Sequence, residues 1–329
     1  MRTGAPALRL VRRGEAPTRD LARRLLERCS FPPTEAGEGN PRPVAVACAV
    51  SGGADSLALL VLALESGLRP VAYHVDHGLR PGSADEISVV QEAARRLNQS
   101  APADRQIETC SLSVDVTPGP NLEARAREAR FAVLPPAIAT GHTADDQAET
   151  VLINLLRGAS GSGLAGMAAG PRHPILGVRR SETRAVCREA GLEWLEDPSN
   201  SDLGPLRNRV RHELLPRLNE LSGRDLVPVL CRQAELLRDD AALLDELAAV
   251  VDPTDARQLT AAPLPLARRA VRAWLRQATP GSHPPSSAAV DRVLAVAAGR
   301  ALACEVEGGI AVRRRKGRLV TDSGTRPVK

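Results

Sequence analysis

The sequence predicts an α/β fold: a doubly wound parallel sheet, followed by a smaller, mainly helical C-terminal domain. Three observations carry that prediction. The run Val44–Val50 is apolar throughout and ends in Ser51-Gly52-Gly53-Ala54-Asp55-Ser56, the pattern of a buried strand turning sharply into a helix. Strand-like and helix-like segments then alternate at βα spacing as far as residue 157. Beyond Gly223 the strand signals thin out, and Leu/Ala/Arg patterns of helical period take over.

Taken in order, the arginine-rich start carries an amphipathic helix around Arg19–Cys29, and the Pro- and Gly-rich stretch Phe31–Pro43 reads as a linker. Strand 44–50 precedes a helix at 57–66, and strand 71–75 precedes one at 84–97. A strand near Gln106–Leu112 precedes helix 122–134, whose inward stripe is Leu122, Ala126, Ala129 and Val133 and which stops at Pro135-Pro136. The short strand 137–139 leads to helix 144–157. Residues 158–172 are Gly-rich and read as a loop, and a helix follows near Ser181–Ala190. Further helices are expected at 225–248, 263–277 and 287–298, then a hairpin at 305–321 turning on Gly308-Gly309. The expected organisation is an N-terminal extension and linker (1–43), a catalytic domain (44–222) and a helical C-terminal domain (223–329).

Composition narrows the class. Aromatic residues make up 2% of the chain, so Leu, Val, Ile and Ala must build the core. A net charge of +5 suits a polyanionic partner. Six scattered cysteines without a C-x-x-C fit a reducing compartment and give no zinc spacing. No apolar stretch reaches membrane-spanning length and no signal-peptide core is present, so the expectation is a cytoplasmic protein without a membrane partner.

The motifs give the chemistry. Gly52 and Gly53 let the backbone approach an anion closely at a helix N-terminus, while Ser51 and Ser56 add hydroxyl donors. The loop lacks the lysine of a G-x-x-x-x-G-K-[ST] motif, and a carboxylate at Asp55 beside phosphates implies Mg²⁺ between them. After the second strand, His77, Gly78 and Arg80 lie at the same sheet edge. Arg127 and Arg130 share a helix flank suited to phosphate or carboxylate, although Glu123 is placed to pair with Arg127. The densest patch is Gly141-His142-Thr143-Ala144-Asp145-Asp146-Gln147-Ala148-Glu149-Thr150. Thr143 and Asp146 suit a capping box, whereas Asp145 and Glu149, four apart below His142, exceed what capping needs. Arg207 and Arg211, four apart on a presumed helix, form a basic strip that suits either RNA phosphate or open solvent.

The S-G-G-A-D-S string resembles the pyrophosphate loop of N-type ATP pyrophosphatases. With H-V-D-H-G-L-R-P, N-L-E-A-R-A-R-E-A-R-F, G-H-T-A-D-D-Q-A-E-T, L-L-R-G-A-S-G-S-G-L-A-G-M, W-L-E-D-P-S-N and R-N-R-V-R-H-E-L-L-P, it resembles the tRNA(Ile)-lysidine synthases over residues 44–218. That resemblance implies a ligase using ATP and Mg²⁺. Its substrates would be free L-lysine and a CAU-anticodon tRNA(Ile), whose wobble cytidine is first adenylated and then attacked by the lysine amine. It implies nucleotide binding by Ser51, Gly52, Gly53, Ala54, Asp55, Ser56, His77 and Gly141, with Mg²⁺ on Asp55. Asp55, Arg127, Arg130, His142, Asp146 and Glu149 become catalytic candidates, and Arg80, Asp145, Arg207, Arg209 and Arg211 candidates for holding substrate or tRNA. The C-terminal region would be a shortened tRNA-binding domain, and a homodimer is left open. The rivals are a thiolase with the same loop, disfavoured by the absent C-x-x-C, a small-molecule ATP-pyrophosphatase ligase, and an inactive RNA-binding relative.

Overall fold

The structure, a computed structural model, describes residues 9–11, 19–33, 43–76, 78, 86–115, 122–197, 202–278, 285–306 and 308–323. The chain forms two compact units, Met1–Glu235 and Leu236–Lys329. In the first, β1 (Arg9–Val11) and α1 (Asp20–Leu25) precede an alternating series. That series is β2 (Ala45–Ala49), α2 (Ala54–Glu65), β3 (Arg69–Asp76), α3 (Glu86–Asn98), β4 (Glu108–Ser113), α4 (Leu122–Val133), β5 (Ala139–Thr140) and α5 (Ala144–Leu156). The sheet is parallel, in the order β4-β3-β2-β5. The chain steps outward from β2 to β4, then crosses to β5 on the other side. The reversal falls between the carboxyl ends of β2 and β5, where open α/β sheets bind ligands.

After α5 come α6 (Gly161–Leu164), α7 (Arg180–Glu189) and β6 (Trp194–Glu196), with β1 pairing antiparallel to β6. α2 is apolar on every face, and Leu57, Leu59, Leu60 and Leu62 are each 0% exposed. A helix of that kind belongs in an interior. It is packed between the sheet and the α1 and α7 helices, and each buried leucine contributes about 1.5–3 kcal/mol. α2 begins at Ala54, earlier than the expected 57, because Gly53 adopts the extended N-cap conformation. Asp55 and Ser56 therefore lie in its first turn.

The Gly-rich stretch 158–172 is not a plain loop. It contains α6 and a bridge between Gly170 and His173, and α5 ties it down. Asn154 Nδ2 donates to the Gly163 carbonyl at 2.8 Å, and Gln147 exchanges hydrogen bonds with the Met167 backbone at 2.9 and 3.0 Å. Val133, expected on the inward stripe, is exposed, while Ala126 on the same helix is buried.

Residues 206–222 form one continuous helix with a widened turn: α8 (Leu206–Arg209), a π-turn Val210–Leu214, and α9 (Leu215–Ser222). The Leu215 N–H donates to the Val210 carbonyl, one residue further back than in an α-helix. Pro216 explains the widening, since it has no N–H to give and its ring crowds the carbonyl one turn earlier. Gly223, at φ +65°, then ends the helix.

α10 (Val227–Ala249) begins the expected C-terminal region, yet its first turn belongs to the first unit. Val227, Leu230 and Cys231 pack against Ala144, Ala148 and Leu152 of α5, which carries the division between units from residue 222 to Glu235. The second unit holds α11 (Ala256–Ala261), α12 (Leu264–Ala278) and α13 (Ser287–Ala297) around Leu259, Val271, Leu275, Val290 and Val293. The expected hairpin gains a third strand: β7 (Ala303–Val306), β8 (Ile310–Arg315) and β9 (Arg318–Ser323) form an antiparallel sheet. Lys316 and Gly317 turn β8 into β9 with φ of 47° and 80°, the positive-φ pair of a type I′ hairpin.

Candidate active site

At the switch point a cavity of about 760 Å³ opens over the end of β2. Its floor is the Ser51–Ser56 loop. Gly52 holds φ +79°, which L side chains rarely adopt, and its carbonyl accepts from the Leu195 N–H at 2.9 Å. Gly53 caps α2, and its carbonyl accepts from Ser56 Oγ at 2.8 Å. The Ser51 N–H donates to Ser56 Oγ at 3.2 Å, so the two serines close the turn on itself. Ala54 is buried beneath. Gly141 approaches from the β5 side so closely that a Cβ there would sit 2.8 Å from the Asp55 carbonyl oxygen. Only glycine lets β5 lie against the first turn of α2.

Asp55 stands where α2 and α7 converge. The buried Thr183 hydroxyl donates to its Oδ1, and Arg180 Nε lies 3.6 Å from Oδ2. Burial pushes the carboxyl up to about 6, against the opposing pull of the Thr183 hydrogen bond, with Asp146 adding to the rise and Arg180 opposing it. A desolvated carboxylate of that kind gains most from a cation. Among the described residues no group of three or more His, Cys, Asp and Glu is placed to hold a metal alone. One carboxylate beside a phosphate-binding loop suits Mg²⁺, which takes one or two carboxylates together with substrate phosphates and water.

The carboxylates of α5 are engaged differently from one another. Thr143 and Asp146 form the expected capping box, with Asp146 Oδ2 accepting from the Thr143 N–H and hydroxyl, both at 2.8 Å. Asp146 Oδ1 accepts from Arg180 and Arg207, each at 2.9 Å, and lines the cavity. Burial alone would raise Asp146, but Arg180, Arg207 and Thr143 outweigh it and bring the carboxyl down to about 2. Glu149 is 0% exposed and lies behind Asp146, ringed by Arg180 at 3.1 Å, Arg207 at 2.9 Å and Arg211 at 2.7 Å. Asp145 does not share that face. It takes two hydrogen bonds from Arg179 at 3.1 Å and one from the Arg180 N–H at 2.8 Å.

The expected basic strip meets neither RNA phosphate nor open solvent in this structure. Arg207 and Arg211 turn inward to the carboxylates, because Glu149 is buried and needs them, and only Arg209 is exposed. Arg130 lines the cavity from α4, while the Arg127 side chain, His77 and Arg80 lie outside the described residues. Gly78 is described, with φ +59° and its N–H donating to Asp76 Oδ1 at 2.9 Å. His142 Nδ1 and His173 Nδ1 lie 2.6 and 2.8 Å from Thr140 Oγ1, which donates to the Arg172 carbonyl at 3.0 Å. The two Nδ1 atoms also lie 3.2 Å from each other, so both imidazoles and the Thr140 hydroxyl form one hydrogen-bonded cluster.

Arg180, Thr183 and His173 are not in the sequence-derived set. Arg180 carried a signal: arginines at 179 and 180 open a helix whose N-terminus favours carboxylates. Thr183 and His173 carried none, because their partners are distant in sequence. No cysteine lines the cavity among the described residues. Burial pushes the Cys48 thiol up to about 12, and the Cys187 thiol, which donates to the Ala54 carbonyl, is pushed higher still.

Residues 34–218 match the PP-loop domain, and residues 255–320 match the TilS substrate binding domain. A tRNA(Ile)-lysidine synthase of Rhodococcus erythropolis is 40% identical over 301 residues, covering 84% of this chain and 89% of that protein. Those of Nocardia farcinica and Rhodococcus opacus are each 42% identical, over 82% and 83% of this chain and 85% and 88% of theirs. Among solved structures, the U34-tRNA thiolase NcsA from Methanococcus maripaludis with its 4Fe–4S cluster aligns with a TM-score of 0.47 and 18% identity, over 66% of this chain and 78% of that one. With the PP-loop domain matched over residues 34–218 and relatives 40–42% identical over more than four fifths of both chains, the chain belongs to the tRNA(Ile)-lysidine synthase family.

Proposed function

We propose that this chain joins free L-lysine to C2 of the wobble cytidine in CAU-anticodon tRNA(Ile), consuming ATP and releasing AMP and pyrophosphate. The observation that carries the reading is that the Ser51–Ser56 loop, Arg180 and Asp146 line one cavity. ATP phosphates would lie on the loop N–H groups at the start of α2, with Ser51 and Ser56 hydroxyls beside them. Mg²⁺, when bound, would be held by Asp55 and would neutralise phosphate charge. Arg130 would add a guanidinium from the opposite wall.

Two steps follow. The cytosine O2 forms a bond to the α-phosphorus, and the bond from phosphorus to the bridging oxygen breaks, sending its electron pair out on pyrophosphate. The lysine amine then forms a bond to C2, the C2–O2 bond breaks, AMP carries off the oxygen, and the amine loses a proton. Asp146 and His142 both line the cavity: Asp146, its carboxyl held down to about 2, stays charged and would orient the ammonium, and His142 is the group for the proton. Glu149 contributes by fixing the guanidiniums around Asp146. The target base must leave its stack to enter, and the cavity volume suits an extruded base beside a nucleotide.

The test is label transfer. Radiolabelled lysine should become fixed to CAU-anticodon tRNA(Ile) only with ATP, with one pyrophosphate released per lysine, and both should vanish in Asp55→Ala. Pyrophosphate release without label transfer would overturn the lysine step and leave the ATP chemistry standing.

A further inference from the structure

Arg180 occupies a position that local physics disfavours. It is the first residue of α7, with Arg179 at the N-cap, and a cation at a helix N-terminus costs about 0.3–1 kcal/mol. The capping box there already has its carboxylate, since Glu182 accepts from the Arg179 N–H at 2.7 Å. Two successive arginines therefore need a reason, and the structure gives each a different one. Arg179 bridges Asp145 of α5 to Asp225, whose carboxylate accepts from the Val227 N–H at the start of α10. That is a tie between elements.

Arg180 turns the other way, into the cavity. Asp145 fixes its backbone by accepting the Arg180 N–H, so the side chain projects at a set angle. Its guanidinium donates to Asp146 and Glu149, and its Nε lies 3.6 Å from Asp55 Oδ2, outside hydrogen-bond length. Among the described residues it is the guanidinium paired with both the loop carboxylate and the α5 carboxylates. Its side chain is 19% exposed, so its charge acts where water screens little. Arg207 and Arg211 keep Asp146 and Glu149 paired if Arg180 moves. The arrangement holds one guanidinium beside the nucleotide loop without stranding a buried carboxylate when it is withdrawn.

We propose that Arg180 is a further catalytic residue of the first step, shifting from the α5 carboxylates onto phosphate oxygens of ATP and taking up the negative charge that develops as pyrophosphate departs. This rests on the ATP chemistry proposed above. Charge moves onto pyrophosphate as the O2–phosphorus bond forms, and a preorganised guanidinium there stabilises the transition state more than the ground state.

The experiment is single-turnover pyrophosphate release from ATP with CAU-anticodon tRNA(Ile) and no lysine, for the wild-type chain, Arg180→Gln, Arg180→Lys and Arg179→Gln. Removing one such donor costs about 100-fold or more in rate, so Arg180→Gln should release pyrophosphate at least about 100-fold more slowly, with the KM for ATP changed by less than about fivefold. Arg179→Gln should melt earlier and release pyrophosphate at a near-normal rate. Should Arg180→Gln fail to fold, Arg180→Lys is read in its place, with the same loss expected because lysine lacks the planar fork. Release within about tenfold of wild type by the folded variant overturns the role, as does a defect confined to the KM for ATP that saturating ATP restores. Absence of release by the wild-type chain would instead sink the ATP chemistry, and this role with it.

Discussion

Glu149→Gln is the sharpest single perturbation, because it changes one charge and almost no volume. In the parent, a fully buried carboxylate accepts from three guanidiniums at 2.7–3.2 Å. Glutamine keeps one acceptor oxygen and turns an amide N–H₂ toward arginines that can only donate. Asp146 and, at longer range, Asp55 are then left to balance three cations. Breaking a buried ion pair from one side costs about 3–5 kcal/mol. Arg207, whose side chain is 36% exposed, can swing toward water, which places the loss near the lower end, at about 3 kcal/mol. At about 2–4 °C per kcal/mol for a domain of this size, the first transition should fall by roughly 6–12 °C. Lysidine formation should fall with it by about 100-fold, since the cations around Asp146 lose their anchor. The assay is a thermal melt beside label transfer, with a double-mutant cycle against Arg211→Met. The two substitutions should couple by about 1–3 kcal/mol. A Glu149→Gln protein melting within about 2 °C of its parent, with additive behaviour in the cycle, would refute the claim that buried charge balance holds this site together.

The other predictions use the same geometry. Asp55→Asn should raise the stability of the ligand-free chain while abolishing turnover. The carboxyl is raised to about 6, so its stabilising contribution is full below about pH 4, is lost as pH rises through 6, and leaves a cost of about 1–3 kcal/mol at neutrality that asparagine removes. A melt series from pH 5 to 8 checks it, and an unchanged or lower Tm for Asp55→Asn at pH 8 would count against it. Asp146 behaves oppositely: with its carboxyl held down to about 2, its contribution is full above about pH 4 and is lost as pH falls through 2, so Asp146→Asn should flatten the acid limb of a stability–pH curve. Gly141→Ala should raise the KM for ATP and cost about 1–3 kcal/mol, because its Cβ would meet the Asp55 backbone at 2.8 Å and neither segment can yield without moving the loop. Arg209→Ala should weaken tRNA binding and lower its salt dependence with no change in Tm, whereas Arg207→Ala should lower Tm; equal melts for the two would show that the inward-facing pairs contribute nothing.

Much of this was legible in the chain. The alternation from Val44 to residue 157, the glycines that turn β2 into α2 and the Thr143–Asp146 capping box follow from periodicity and local hydrogen-bonding capacity, which are written in contiguous residues. The orientation of Arg207 and Arg211 was not. Their spacing fixes a shared helix face, but whether that face meets RNA or a buried Glu149 depends on an element some sixty residues earlier. Thr183 was silent for the same reason, since its partner Asp55 lies 128 residues away. Gly223 is a good helix stop that is not a stop for the core, because Val227 and Leu230 continue to pack on α5.

The resting site holds Asp55, Asp146 and Glu149 against Arg180, Arg207 and Arg211, so its charges balance before any substrate enters. That balance has a chemical logic. A reaction joining a polyanion to an ammonium must offer cations to one substrate and carboxylates to the other within a single cavity. Either set alone, left unpaired and dehydrated, would cost several kcal/mol per charge. Pairing the sets with each other removes that cost and, on the proposed chemistry, would leave each available by exchange: phosphate for carboxylate around Arg180, ammonium for guanidinium around Asp146. The substrate-free chain should therefore resist loss of any single ion-pair partner poorly, and simultaneous loss of Glu149 and Arg211 better than the sum predicts.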